Sequence, residues 1–219
     1  MSGPIQGPIL VCFAVKEEAA LLRLAVPSNV TVLITGMGAV AAERAVKARL
    51  SEQNWSLVLT CGFAGGLNPA LTHGAVLLDM DEGLTLRPAL LKAGAVAARF
   101  HCAERVAVTA VDKASLRART GADAVEMESG VIRRLCAEHG IPSAIVRVLS
   151  DIAQEDLPLN FNDLISSDGE LSLGRLTVAV LRRPGKIPAL MALGHHSKSA
   201  ARRLATVLHA ALTASNEAA

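Results

Sequence analysis

The sequence predicts an α/β domain, and three observations carry that prediction. Short apolar runs recur along the chain and end in glycines or carboxylates. Helical patterns follow several of these runs. The 219 residues are 51% hydrophobic but only 2% aromatic, with no Tyr. That length suits one such domain with a core of Ala, Val, Leu and Ile. The domain is read as spanning 1–219, with 170–219 as a helical tail.

The first apolar run, Pro8 to Ala14, predicts the opening strand. Lys16, Glu17 and Glu18 then start a helix with acids in its first turn. Both glutamates can simply complement the helix dipole. Their place just past a strand's carboxyl end is also where ligand-binding groups gather in open α/β sheets. Val30 to Thr35 predicts the second strand, running through Gly36-Met37-Gly38 into an Ala-rich helix, Ala39 to Leu50. The two glycines make either a plain tight turn or a backbone cradle at a helix N-terminus. Trp55 to Cys61 is read as the third strand, followed by the glycine-rich loop Gly62-Phe63-Ala64-Gly65-Gly66. Glycines there allow close backbone approach to a small ligand or tolerate a crowded crossover.

Gly74 to Leu78 reads as a further strand, Ala89 to Phe100 as helical despite Gly94, and Arg105 to Val111 as an alternating strand. A short helix follows, from Asp112 or Lys113 to Ala118. Asp123 to Asp151 is the richest stretch: strand edge, a helix starting with Glu126-Met127-Glu128, a turn, and the apolar strand Ser143 to Leu149 ending at Ser150-Asp151. Such a strand is covered on both faces, and its end faces the crevice where ligands bind. Glu126, Glu128 and Asp151 are therefore expected to share one crevice, suited to acid–base work or hydroxyl binding. Residues 152–162 read as a polar loop suited to covering a site. Leu171 to Leu181 and Pro188 to Thr213 read as helices, the second with Pro at its first position and Leu190, Leu193, Leu204, Val207, Leu208 and Leu212 on one face.

Composition excludes several classes. The net charge of +2 does not describe a polyanion binder, and the scarcity of aromatics argues against stacking platforms for single-stranded nucleic acid. Residues 181–219 carry six basic residues against Glu217 alone. That face is either solvated or suited to docking on an anionic membrane surface. Cys12, Cys61, Cys102 and Cys136 are scattered, without the spacing of a zinc site or disulfide framework, which fits a reducing cytoplasm. The first ten residues lack a signal-peptide pattern, and no stretch has the length and apolarity of a membrane span. His195 and His196 point about 100° apart on a helix, so they do not share a metal.

Five motifs in order now carry a resemblance: Glu17-Glu18 after the first strand, G-M-G-A-V, C-G-F-A-G-G-L, V-E-M-E-S and V-R-V-L-S-D. Together, over residues 8–155, they resemble the purine nucleoside phosphorylase and nucleosidase superfamily, near the methylthioadenosine/S-adenosylhomocysteine nucleosidases. The tail, L-R-R-P-G-K-I-P-A-L, is similar to that of hopanoid-associated phosphorylases, thought to act on adenosylhopane. The resemblance implies a central mixed β-sheet flanked by helices. It implies cleavage of a purine–ribose N-glycosidic bond without metal or redox cofactor, with phosphate as co-substrate for a phosphorylase, and an assembly of at least two copies. It implies that Asp151 holds and protonates the purine, positioned by Ser150. Glu128 binds the ribose hydroxyls, Met127 packs under the sugar, and Glu18 activates water. Gly36, Gly38, Gly62, Ala64 and Gly65 line the sugar and nucleophile side, and Ala110 and Val111 lie beside the base.

The chemistry agrees with that assignment. Glycosidic cleavage passes through an oxocarbenium-like state, which needs a proton on the leaving base and negative charge near the ribose. The chain also departs from the family. Phe63 brings bulk to the nucleophile side, Lys16 replaces the first acid of an E-E-E run, and residues 57–60 lack a phosphate-binding Arg, leaving Arg23 or Arg44 for that role. The stretch from Asp79 to Arg105 is short, which implies a more open site with room for a bulky 5′ substituent. Two other classes fit the residues less fully: a nucleoside-binding protein without turnover, permitted by Phe63 and Lys16, and a peripheral membrane partner recruited by the basic tail.

Overall fold

The computed structural model describes residues 7–164 and 172–217. Eight strands form one mixed sheet: β1 (Ile9–Phe13), β2 (Val30–Ile34), β3 (Leu57–Gly66), β4 (Val76–Asp79), β5 (Ala95–Ala97), β6 (Phe100–Cys102), β7 (Ala124–Glu126) and β8 (Ser143–Asp151). The helices are α1 (Lys16–Ala19), α2 (Ala39–Leu50), α3 (Leu86–Lys92), α4 (Ala110–Thr120), α5 (Ser129–Glu138), α6 (Leu173–Arg182) and α7 (Ile187–Glu217). The main strand order is β2-β1-β3-β8-β4-β5, and β7 joins the far end of β3 and pairs β6.

Alternation along the strands explains the layers. Ile9, Val11 and Phe13 of β1, Leu57, Leu59 and Cys61 of β3, and Ala144, Val146 and Val148 of β8 face one side. There they meet Leu86 and Leu90 of α3 and Leu204, Val207, Leu208 and Leu212 of α7. Leu10, Cys12 and Val58 face the other side, against Ala42, Val46 and Leu50 of α2 and Ile132, Leu135 and Cys136 of α5. Each fully buried Leu or Val of α7 contributes roughly 1.5–3 kcal/mol relative to exposure. That burial holds the second half of the helix on the sheet, while Ile187 and Met191 at its start stay exposed.

β8 runs parallel to β3 and antiparallel to β4, so both of its edges are paired. The β3–β8 register runs Ala64 against Leu149 and then Gly65 against Asp151. Ser150 is therefore an extra residue, and such a bulge re-aims the side chain that follows it. That side chain is Asp151.

The expected α/β domain with a central mixed sheet and helical tail is the observed fold. Several element boundaries differ. The glycine-rich segment after Cys61 continues β3 rather than forming a loop, because Gly62 to Gly65 pair with β8 while Gly65 and Gly66 also pair with β7. The region from Ala89 to Phe100 is not one helix. α3 stops at Lys92, and Gly94, with φ of +99°, ends it in a conformation that L residues avoid; two short strands follow. Arg105 to Val111 is not a strand. The Asn162 side chain takes up both backbone groups of Val106, at 2.8 and 3.1 Å. Thr109 and Asp112 form a reciprocal cap that starts α4 at Ala110. Glu126 closes β7 and Glu128 precedes α5, so the Glu-Met-Glu triplet is a strand-to-helix turn rather than a helix start. α7 begins at Ile187, led in by a 3₁₀ turn at Pro184–Lys186, and runs on to Glu217. α6 begins at Leu173, and the expected start at Leu171 lies outside the described residues.

Candidate active site

The carboxyl ends of β1, β3 and β8 open on a cavity of about 260 Å³. Glu18, Phe63, Ala64, Gly65, Glu126, Met127, Glu128, Ser150 and Asp151 all line it. Residues separated by up to 133 positions in sequence thus meet in one crevice, because parallel strands deliver their ends to the same sheet edge. Leu157 and Phe161, from the loop after β8, and Leu193 and Ser197, from α7, close the opposite side.

Arg147, in the middle of β8, is 2% exposed. Its Nη2 donates to Glu126 at 2.7 Å, to Glu128 at 3.0 Å and to the Thr60 hydroxyl at 3.0 Å. Burial pulls the pKa of the guanidinium down, but the carboxylates of Glu126, Glu128 and Glu18 outweigh it and hold the pKa above the usual arginine value. Glu126 has little capacity left for a ligand. Its Oε2 also accepts from the backbone N–H groups of Glu128 and Ser129, and its Oε1 from the Ser129 hydroxyl. It fixes the turn into α5. Glu128 accepts from Arg147 on Oε2 and from the Gly38 N–H on Oε1 at 2.8 Å. The Gly36–Gly38 turn therefore spends its Gly38 N–H on this carboxylate.

Glu18 is 4% exposed. Its Oε2 accepts from the N–H groups of Ala14 and Val15, and its Oε1 from that of Phe63 at 2.8 Å. A carboxylate offers about four acceptor positions, so about one remains on Oε1. Gly62 makes this approach feasible: a Cβ there would lie 2.7 Å from both carboxylate oxygens, and its φ is +130°. Burial raises the Glu18 pKa from its ordinary 4.5 to about 7, against the opposing pull of Arg147 and the Phe63 N–H.

Asp151 is 7% exposed. The Ser150 hydroxyl donates to its Oδ1 at 2.9 Å. Its Oδ2 meets the Lys113 ammonium at 2.5 Å. Lys113 is fully buried, and its remaining donors go to the carbonyls of Ile152 and Glu155, at 2.8 and 2.9 Å. An apolar strand end was expected around Asp151; the site instead holds an ion pair.

Not every anticipated residue reaches the cavity. Ala110 and Val111 are not among the lining residues; they open α4, where Val111 is 77% exposed and the Ala110 N–H is bonded to Asp156. Arg105, Val106 and Ala107 take that place in the wall. Gly38 and Gly62 act through the carboxylates rather than as lining surface, and Gly36, also absent from the wall, donates its N–H to the Ala14 carbonyl. Arg23 and Arg44 lie outside the wall too. Besides such wall residues as Arg105, sequence reasoning missed Arg147 and Lys113, the two cations that hold the carboxylates. An arginine inside a run read as buried on both faces demands a paired carboxylate, and that signal was present. Lys113 gave none, because its partner lies 38 residues away, beyond β7 and α5 at the end of β8.

Residues 92–182 match the model of the Phosphorylase superfamily, a span that includes the Glu126–Glu128 turn and Asp151 but not Glu18. A 5′-methylthioadenosine/S-adenosylhomocysteine nucleosidase of Mycobacterium bovis is 30% identical over 120 residues, 55% of this chain. The match covers 38% of that relative, so the chain spans well under half the length of the curated relatives it matches. Futalosine hydrolase of Helicobacter pylori superposes with a TM-score of 0.70 at 16% identity, over 95% of this chain and 98% of that one. A methylthioadenosine/S-adenosylhomocysteine nucleosidase of Colwellia psychrerythraea, solved with adenine, gives 0.69 at 18% identity, covering 97% of each chain. The fold is therefore that of these nucleosidases, and the resemblance drawn from the five motifs stands.

Two predictions follow from the buried charges. Lys113→Met should cost roughly 3–5 kcal/mol, because it strands a buried carboxylate. Adding Asp151→Asn should recover part of that loss, a coupling read by a double-mutant cycle in urea; strictly additive losses would contradict the pairing. Glu18 supplies the second. Below pH 4.5 it is neutral both folded and unfolded, and between 4.5 and 7 the unfolded chain gives up the proton first. Its contribution to stability is thus fully present at low pH and lost as pH rises through 7. The stability of the wild type relative to Glu18→Gln should fall by about 3 kcal/mol between pH 4.5 and 8; a constant difference would show that burial does not hold the proton.

Proposed function

We propose that this chain, with its match to the Phosphorylase superfamily, is an enzyme that hydrolyses the N-glycosidic bond of a purine nucleoside. The observation that carries the reading is the placement of Glu18, Glu128 and Asp151 around one cavity. One carboxylate serves each need of the reaction.

Asp151 acts on the base. The Lys113–Asp151 pair holds a transferable proton on the line from Nζ to Oδ2. As the C1′–N9 bond lengthens, that proton passes through Asp151 to N7, leaving Lys113 as the neutral amine. The base departs with the bonding electron pair, neutral because N7 has been protonated. Ser150 fixes the carboxyl group throughout. Glu128, held by Arg147 and Gly38, accepts hydrogen bonds from the ribose hydroxyls and places negative charge beside the oxocarbenium-like sugar. Met127 packs under the sugar. Water held on the remaining acceptor position of Glu18 attacks C1′, and Glu18 takes its proton. Solvent then returns Lys113 and Glu18 to their starting states. A base with a pKa near 7 matches the pH at which it must work. No cofactor enters these steps.

Hydrolysis is favoured over phosphorolysis by the charges. Among the described lining residues the cations are Arg105 and Arg147, and Arg147 is already bound by Glu126 and Glu128. The substrate we infer is an adenine-type nucleoside with an apolar 5′ substituent, because Leu157, Phe161 and Leu193 give the cavity an apolar wall. A hydrocarbon of the adenosylhopane kind fits that wall. Exposed Leu181, Ile187 and Met191 beside Arg182, Arg183 and Lys186 suit contact with an anionic membrane from which such a substrate would come.

Base release tests the reading. A panel of methylthioadenosine, S-adenosylhomocysteine, adenosine, inosine and an adenosine with a long 5′ hydrocarbon is incubated with and without phosphate and resolved by chromatography. Adenine release without phosphate is expected, with kcat/KM rising as pH increases through about 7. Asp151→Asn should lower kcat by about 10²–10⁴-fold with the fold intact by circular dichroism. Release that requires phosphate, or full turnover by Asp151→Asn, would overturn the respective assignments.

A further inference from the structure

We propose that His73, Glu155 and His196 form a binding site for one divalent transition-metal ion of the zinc type. The three side chains come from separate segments: the turn before β4, the loop after β8 and the first third of α7. Their candidate ligand atoms all lie within 4.8 Å of one another. His73 Nε2 is 2.8 Å from Glu155 Oε2, and the His73 and His196 rings are 4.1 Å apart between centroids, inclined at 41°. All three residues are half-buried.

The donor set points to the class of ion. Two imidazoles and one carboxylate make a three-ligand zinc set, leaving a fourth position for water. Magnesium and calcium prefer all-oxygen shells. Chain chemistry alone gives the cluster a weak rationale. Within the cluster the hydrogen bond between side chains is that of His73 with Glu155, and among the described residues the His196 ring, which leans on His73, has no hydrogen-bond partner. An ion at the centre would satisfy all three. Supporting bonds around the carboxylate are also in place: the Ile152 N–H approaches Glu155 Oε2 at 3.5 Å, and the Glu155 carbonyl accepts from Lys113. His195, the adjacent residue on α7, is exposed and takes no part.

The ion would join α7 to the loop that follows Asp151. Leu193 and Ser197, on the same stretch of α7 as His196, line the cavity. Metal binding would therefore fix the helical wall over the cavity without touching the reacting atoms. This inference rests on the cluster's geometry and holds whether or not the cavity hydrolyses nucleosides.

The test uses the full chain, stripped with EDTA, dialysed and titrated with zinc against a chromophoric chelator. One zinc per chain is expected. His196→Ala and His73→Ala should each weaken binding by roughly 100-fold or more, while His195→Ala and Cys102→Ser should bind as the wild type does. Zinc should also raise the melting temperature of the wild type and leave that of His196→Ala unchanged, with the two metal-free proteins melting alike. Because His196 lies on the surface of a long helix, its variant keeps the test valid if His73→Ala fails to fold. Absence of stoichiometric binding by the wild type, or binding that survives His196→Ala, would overturn the site.

Discussion

A guanidinium buried in the centre of a sheet has to be neutralised, and the way Arg147 is neutralised organises this protein. Its Nη2 binds Glu126 and Glu128 together and reaches Thr60 on the neighbouring strand. That arrangement ties β8, β3 and the turn into α5 to one point. Glu126 spends its oxygens on the turn, so Glu128 is the member of the pair left facing the cavity with a rigid orientation. A partner removed from such a cluster leaves an uncompensated charge, which costs far more than the pair contributes. The cluster's value lies in geometry rather than in net stability.

Close approach is the second constraint. Both Glu18 and Asp151 press against the backbone of β3, and glycine is what stands at each point of pressure. A Cβ at Gly62 would strike the Glu18 carboxylate, and one at Gly65 would sit 3.3 Å from Asp151 Oδ2. The strand thus continues through its glycines and serves as a floor on which two carboxylates rest. The same packing removes water from Glu18, which is why its proton is held to near neutrality. Structure and chemistry meet there: the burial that suits Glu18 to the proposed role of base is the burial that costs stability once it ionises.

The long strands and the long helices were legible because their periodicity is local, whereas the three-residue strands β5 and β6 were not. β1, β2, α2 and β8 fall within a residue or two of the patterns that predicted them. The convergence of Glu18, Glu126, Glu128 and Asp151 was legible as well, since each follows a strand end. The misreadings share a cause. Gly62 to Gly66 look like a loop until their partner strands are known, and Val106 looks like a strand residue until Asn162 takes its backbone groups. Lys113 and the cluster of His73, Glu155 and His196 depend on contacts across 38 to 123 positions. No local pattern encodes such pairs, and only the folded topology brings them together.

The central claim is that three carboxylates, anchored by Arg147, glycine approach and Lys113, carry out hydrolysis at C1′. The most direct measurement follows the oxygen. A turnover of methylthioadenosine, or of the best substrate, in ¹⁸O-labelled water is analysed by mass spectrometry of the released sugar. With the released sugar reduced at once to block exchange of its anomeric oxygen, the account predicts one labelled oxygen per sugar, at C1′, with unlabelled adenine, and labelled sugar formed at least about 10²-fold more slowly by Glu18→Gln. Base release that leaves the sugar unlabelled, or labelled sugar formed by Glu18→Gln at the wild-type rate, would contradict it.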